Sequence, residues 1–239
     1  MTDESVDILL DLAHRNPDPD PEVREQAVFW LSQVRSDEAL DALASILAAT
    51  TDPELQERAV FAISQHGSDR AAELLRDYVE RSDADPEVRA NAVFWIGQSG
   101  GTEGAGYLRD LYPRLQDDEL KERVIFGVAQ NQDAESRQWL LARAGDAMEL
   151  RKNALFWAGQ SGAIGIAELR DLYDAFADVE MKEQLVFVAS QTRDESAVDF
   201  LMEVAENEED AELREKAIFW LGQSKDPRVG EFLLSLIRR

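Results

Sequence analysis

The chain has 239 residues, of which 44% are hydrophobic and 31% are charged, so it carries enough apolar material for a core and too much for a disordered chain. Its formal net charge is −24 at pH 7, which repels nucleic-acid phosphates and anionic lipid headgroups and argues against both as direct partners. It contains no cysteine, which excludes disulfides, thiolate nucleophiles and cysteine-ligated metal sites.

The first residues of the sequence do not show the pattern of a signal peptide, so we expect none. These residues, MTDESVDILLDLAHRN, are acidic and amphipathic, and no apolar run approaches the roughly 20 residues that a membrane span needs. We therefore expect no membrane insertion and, by default, a cytoplasmic protein, while export or excision from a larger chain stays open. The acidity also fits a high-salt host, so charge alone does not identify a partner.

After a helix expected near residues 4–15, one segment recurs seven times along the chain. It reads VREQAVFWLSQ from Val23, VRANAVFWIGQ from Val88 and LREKAIFWLGQ from Leu213, and successive copies are 30–33 residues apart. Asp-Pro pairs at 20 and 21, 52 and 53, and 85 and 86 are typical of helix starts. The pattern predicts second helices starting near 22, 54, 87, 119, 149, 180 and 212.

Between the copies lie amphipathic stretches such as DEALDALASIL from Asp37 and DESAVDFLMEV from Asp194, which predict the first helix of each following repeat. A closing helix is expected near residues 226–238. The sequence thus predicts an all-α chain of about fifteen helices in seven two-helix repeats, forming a single solenoid domain over residues 1–239.

The DPEVR helix start, the alanine-rich second helix and the Gly or Ser near its end resemble HEAT repeats of the bacterial, bilin-lyase-like kind over nearly the whole chain. This resemblance implies a right-handed α-solenoid with second helices lining its concave side. It implies little about function, because the fold hosts scaffolds, transport factors and a few enzymes. The Phe-Trp pair departs from the family pattern, in which a polar residue is followed by alanine.

The repeated phenylalanine is predicted to face away from the core. At about 100° per residue, Val23, Ala27 and Leu31 form one stripe, whereas Phe29 lies almost opposite. The seven members of this row are Phe29, Phe61, Phe94, Phe126, Phe156, Phe187 and Phe219. One turn later lies a row of amides, formed by Gln33, Gln65, Gln98, Gln130, Gln160, Gln191 and Gln223.

A row of carboxylates lies about two turns before the phenylalanines, at Glu22, Glu54, Glu87, Glu119, Glu149, Glu180 and Glu212. An apolar row between amides and carboxylates is a plausible groove for an extended segment. Two structural readings stay open: neighbouring phenylalanines can form an inner packing layer, and glutamate near a helix start is favoured by the helix dipole. An open groove predicts that Phe94→Ala leaves stability almost unchanged.

The residue after each phenylalanine alternates in size: Trp30, Ala62, Trp95, Gly127, Trp157, Val188, Trp220. This alternation favours packing of tryptophans between repeats, with an aromatic binding box as the alternative. The basic residues Arg24, Arg89, Lys121, Arg151, Lys182 and Arg214 occupy the position that the resembled repeats use for ladders between repeats.

No residue set forms a convincing catalytic site or metal site. The two histidines, His14 and His66, are too few for a metal cage, and we expect His66 in an exposed turn. The stretch GGTEGAG from Gly100 lacks a preceding strand and a following Gly-Lys, which indicates a turn between helices.

We therefore expect no cofactor and a non-catalytic scaffold that binds an extended or helical protein segment, basic and with periodic apolar residues. A self-associating structural module is the alternative, so a homo-oligomer stays open. A bilin lyase or isomerase is the minor alternative, which depends on the resemblance alone.

Overall fold

A computed structural model describes residues 3–14, 21–81, 83–131, 133–143, 146–192 and 194–238. Within these residues all regular secondary structure is helical and there are no strands, as predicted. The helices are α1 Asp3–His14, α2 Pro21–Ser32, α3 Asp37–Ala49, α4 Pro53–His66, α5 Asp69–Glu80, α6 Pro86–Ser99, α7 Gly101–Leu111, α8 Asp118–Ala129, α9 Ala134–Leu141, α10 Met148–Gln160, α11 Ile166–Ala175, α12 Val179–Gln191, α13 Glu195–Asn207, α14 Ala211–Gln223 and α15 Arg228–Ile237. A short 3₁₀ helix, Tyr112–Arg114, follows α7.

The even-numbered helices are the second helices of the repeats. In most of them an aspartate side chain caps the first turn. The Asp52 carboxylate accepts a hydrogen bond from the Glu54 N–H, and the Asp85 carboxylate accepts from the N–H groups of Glu87 and Val88. A proline follows each of these aspartates in the first turn, as expected. The corresponding Asp20 lies outside the described residues. Helix α10 is an exception, since Ala147 precedes it and supplies no side-chain cap.

The chain divides into two compact units, Met1–Asn131 and Gln132–Arg239. In the first unit, the second helices α2, α4, α6 and α8 pack side by side, and the first helices α1, α3 and α5 form a second layer. In the second unit, α10, α12 and α14 form one layer and α11, α13 and α15 form the other. A single solenoid domain over residues 1–239 stays a prediction.

The core of each unit lies between its two layers and contains aliphatic side chains. Leu31, Leu43 and Ile63 are fully buried in the first unit, and Leu169 and Met181 in the second. Along the helices, buried residues recur three or four positions apart and form one apolar stripe. Burial of these stripes between the layers accounts for the two-layer packing.

Glycines allow unusually close contact between neighbouring helices. A Cβ placed on Gly97 of α6 would lie 2.5 Å from the Cα of Gly127 in α8, and one on Gly104 of α7 would lie 2.5 Å from the Ile96 carbonyl oxygen. The stretch GGTEGAG is therefore mostly the start of α7 and not a turn, which corrects the expectation. Its residues Gly100 and Gly104 are explained by the close approach of α7 to the Ile96 carbonyl of α6.

Candidate protein-binding face

The phenylalanine row lies on the side of the second helices that turns away from the core. Phe29, Phe61 and Phe219 expose 53%, 46% and 54% of their surface. Val28 and Val60, which precede the first two, are buried, whereas Ile218 before Phe219 is 39% exposed. The other four phenylalanines, Phe94, Phe126, Phe156 and Phe187, are half-buried. We name this side of each unit the phenylalanine face.

All seven glutamines of the amide row are exposed on this face. Gln33, Gln65 and Gln191 donate to the hydroxyl of the serine just before them, at 3.0, 3.3 and 3.0 Å. Each of these serines in turn donates to the carbonyl of a row phenylalanine. The local serine bonds leave the glutamine carbonyl oxygens at the surface, where they can accept from a bound backbone.

In the first unit the aromatic rings touch one another from repeat to repeat. The ring of Trp95 lies 5.1 Å from that of Phe61 in the preceding second helix and 5.0 Å from that of Phe94, measured between centroids. Phe94 stacks on Phe126 at 5.8 Å with an interplanar angle of 6°. Trp95 therefore packs between repeats, as its alternation with Ala62 indicates.

The second unit has the same kind of aromatic ladder. Phe156 stacks on Phe187 at 6.0 Å, and Phe187 contacts the ring of Trp220 at 5.4 Å. Trp220 also meets Phe219 edge to face at 5.0 Å. Trp30, in the first unit, differs: its side chain stays half exposed and its ring contacts Phe29.

These contacts indicate that the phenylalanine row is partly an inner packing layer and partly an open surface. Stacked pairs such as Phe94 with Phe126 form the inner layer, whereas Phe29, Phe61 and Phe219 keep open ring faces. Aromatic pairs of this kind stabilise by about 0.5–1.5 kcal/mol beyond their burial, so the half-buried rings also hold the repeats together.

Ion pairs connect neighbouring second helices one to two turns before the phenylalanines. Arg58 of α4 pairs with Glu25 of α2 at 2.9 Å, and Lys152 of α10 pairs with Glu180 of α12 at 2.7 Å. The hydrogen bond from Lys152 to Glu180 raises the pKa of this lysine above its ordinary value, because the bond favours the charged form. These pairs are exposed, so each contributes little to stability.

A cavity of about 500 Å³ opens on the phenylalanine face of the second unit, over α10, α12 and α14. Phe187, Phe219 and Trp220 form its aromatic walls, while Lys152, Lys216 and Glu215 are among its charged lining. Lys216 donates to Glu183, and this hydrogen bond raises the pKa of Lys216. Sequence reasoning identified the aromatic row but not this cavity, because its charged wall combines residues from three helices.

The basic position near the start of the second helices makes structural contacts. The Arg89 guanidinium donates to the Val79 carbonyl at 3.0 Å, and Arg214 donates to the carbonyls of Glu208 and Glu209. These bonds lie within one repeat, which differs from the expected ladder between repeats. Lys182 does reach the next repeat, at Glu208.

His66 is the last residue of α4 and is half-buried, so the expectation of an exposed turn residue was wrong. Its Nδ1 lies 3.2 Å from the Ser68 hydroxyl, and its carbonyl accepts from Arg35.

The side chain of His14 lies outside the described residues. Within the described part of the chain, no three His, Cys, Asp or Glu side chains are grouped so that they could hold a metal ion. No helix there is long and apolar enough to cross a membrane.

The fold defines an all-α repeat protein built from helix pairs. Comparison with protein families identifies the repeat: residues 6–84 match the model for HEAT repeats, and residues 213–239 match the PBS lyase HEAT-like repeat. The chain therefore contains HEAT-type repeats of the kind that the sequence pattern indicates. No curated protein sequence matches it significantly.

Several solved structures are similar in fold. Human deoxyhypusine hydroxylase in complex with glycerol is 17% identical, with a TM-score of 0.47 over 98% of this chain and 89% of that chain. The complex of CpcE and CpcF of phycocyanin lyase from Nostoc sp. is 17% identical, with a TM-score of 0.42 over 99% and 95%. A structure on the interaction between cadherin and beta-catenin is 15% identical, with a TM-score of 0.38 over 95% and 54%.

Proposed function

We propose that this protein is a non-catalytic scaffold whose phenylalanine face binds an extended or helical segment of another protein. The observation that carries the proposal is the exposure of Phe29, Phe61 and Phe219, each of which leaves about half of its surface in solvent. Folding alone does not require a large apolar side chain to recur there, since the alanines and leucines of the same helices already form the core.

The exposed glutamines beside the rings support the same proposal. Their amides offer acceptors and donors to a backbone that has no partner in its own chain. The carboxylates of the face and the net charge of −24 favour a segment that carries Lys or Arg. A second copy of this acidic chain is disfavoured, because two such faces bring like charges together.

The free energy that each buried phenylalanine contributes indicates how many repeats the bound segment must span. Burial of one phenylalanine contributes about 1.5–3 kcal/mol, whereas association costs about 4–15 kcal/mol, so one or two rings do not hold a partner. Neighbouring helices lie about 8–10 Å apart and an extended chain advances about 3.3 Å per residue. The segment therefore presents an apolar residue roughly every third position, with Lys or Arg nearby.

Selection of displayed peptides on the immobilised protein tests this function. We expect enriched peptides with that apolar period and a basic bias, and we expect Phe61→Ala to weaken them about tenfold or more. Ile8→Ala is the matched control, because Ile8 is 56% exposed but lies on a first helix. Peptides with neither feature, or an equal loss in both variants, contradict a binding site on the phenylalanine face.

The family match at residues 213–239 favours one second candidate, a bilin lyase or isomerase. Co-expression with a bilin separates the two functions. Pigment that stays with the purified protein and is transferred to an acceptor protein supports the enzyme, whereas a colourless protein that binds peptides supports the scaffold.

A further inference from the structure

The aromatic rings of the cavity on the second unit differ from the rings that lie away from the phenylalanine face. There, basic side chains cover aromatic faces: Arg143 lies 4.2 Å from the centroid of Trp139 and Lys182 lies 4.6 Å from that of Tyr173. No Lys or Arg among the described residues lies over Phe187, Phe219 or Trp220. These three rings therefore have electron-rich faces without a cation, next to solvent.

Among the described charged side chains that line the cavity, one carboxylate has no ion-pair partner. Lys152 is paired with Glu180 at 2.7 Å, and Lys216 is paired with Glu183. Glu215 lines the same cavity, is exposed, and has no hydrogen bond or ion pair within the described part of the chain. It lies four residues before Phe219 on α14, so its carboxylate and the exposed ring share one helix face.

We propose that this cavity takes an arginine side chain of the bound protein segment. The inference depends on the proposed function, because the arginine belongs to that segment. A guanidinium is flat and weakly hydrated, so it stacks on an aromatic ring while its N–H groups bond a carboxylate. Phe219 and Trp220 supply the rings, and Glu215 supplies the carboxylate. A cavity of about 500 Å³ has room for such a side chain.

The first unit provides an internal comparison for this assignment. Phe61, Phe94 and Trp95 repeat the aromatic part of the cavity, but Ala90 occupies the position that Glu215 has in α14. Beside Phe94 and Trp95 the first unit therefore lacks the carboxylate that Glu215 supplies beside Phe219 and Trp220, so we assign the arginine to the second unit.

Titration with a small probe tests the cavity apart from any partner. The probe is N-acetyl-arginine amide, compared with N-acetyl-citrulline amide, which has the same shape without the charge. The readout is the indole N–H signal of Trp220 in a nitrogen-15 NMR spectrum, assigned by Trp220→Phe. We expect a saturable shift with arginine, a much smaller one with citrulline, and about fivefold weaker binding in Glu215→Gln.

The control variant is Glu73→Gln, which makes the same change of charge on an exposed residue of the first helix α5 and is expected to bind like the unchanged protein. Equal shifts with arginine and citrulline, an unmoved Trp220 signal, or unchanged binding in Glu215→Gln would overturn the arginine site. A lysine amide that binds as well as arginine would overturn the guanidinium assignment.

If selected peptides still bind the phenylalanine face in any of these cases, the proposed function stands without this cavity. If peptides fail while the arginine probe binds, the cavity stands and the proposed function falls.

Discussion

At the scale of single residues, the phenylalanine row contains two kinds of side chain. Phe29 is 53% exposed and contacts the ring of Trp30, whereas Phe94 is half-buried and contacts both Trp95 and Phe126. An open groove alone predicts that Phe94→Ala leaves stability nearly unchanged. The stacking with Phe126 changes this expectation, because truncation of Phe94 removes two aromatic contacts.

We expect Phe94→Ala to lower the free energy of unfolding by about 1–3 kcal/mol and Phe29→Ala to lower it by at most about 0.5 kcal/mol. Urea unfolding of both variants measures the difference. Trp95→Ala serves as the reference for a residue packed between repeats, with an expected loss of about 3 kcal/mol or more. Equal losses in Phe29→Ala and Phe94→Ala would mean that exposure does not separate packing from binding positions in this row.

At the scale of helices, close packing of α6 on α8 depends on two glycines. A Cβ on Gly97 meets the backbone of Gly127 at 2.5 Å, and backbone cannot move aside without shifting a helix. In contrast, a Cβ on Gly106 of α7 meets only the end of the flexible Arg109 side chain, at 3.8 Å. The same substitution should therefore have opposite effects at the two positions.

We expect Gly97→Ala to destabilise the protein by about 2 kcal/mol or more, because the steric conflict outweighs the gain in helix propensity. Gly106→Ala should stabilise it by up to about 1 kcal/mol, since alanine is the better helix former and meets open space. Thermal melts followed by circular dichroism measure both changes. A stable Gly97→Ala protein would mean that α6 and α8 can separate without loss.

The helices themselves were largely predictable, because the information for them is local. Each described second helix begins one residue before the expected position, where an aspartate, a proline or an acidic first turn sets the start. The 3.6-residue helix period predicted the direction in which Phe29 points. It could not predict the stacking of Phe94 on Phe126 or the cavity beside Glu215. Both depend on distances between residues that are about 30 positions apart or more. The expectation for His66 was wrong because α4 continues through this residue and is capped by Gly67, which has a left-handed backbone.

At the scale of the whole molecule, the charge of −24 separates the scaffold from a self-associating module. Two copies joined through their phenylalanine faces would bring the carboxylate rows together, and this repulsion is strongest at low ionic strength. A basic segment, in contrast, is attracted by the same rows and binds more strongly when salt is low.

We therefore expect light scattering to give the monomer mass of 26.9 kDa at low salt, unchanged as the protein concentration rises. Selected basic peptides should bind about tenfold more weakly when the salt concentration rises from about 50 to 500 mM, because the charges of both partners are then screened. Phe61→Ala provides the matched variant: in the scaffold it lowers peptide affinity and leaves the mass unchanged. A mass that climbs with concentration at low salt, and returns to the monomer value in Phe61→Ala, would replace the scaffold by a dimer joined through the phenylalanine face, since ring burial would then outweigh the repulsion of two acidic surfaces.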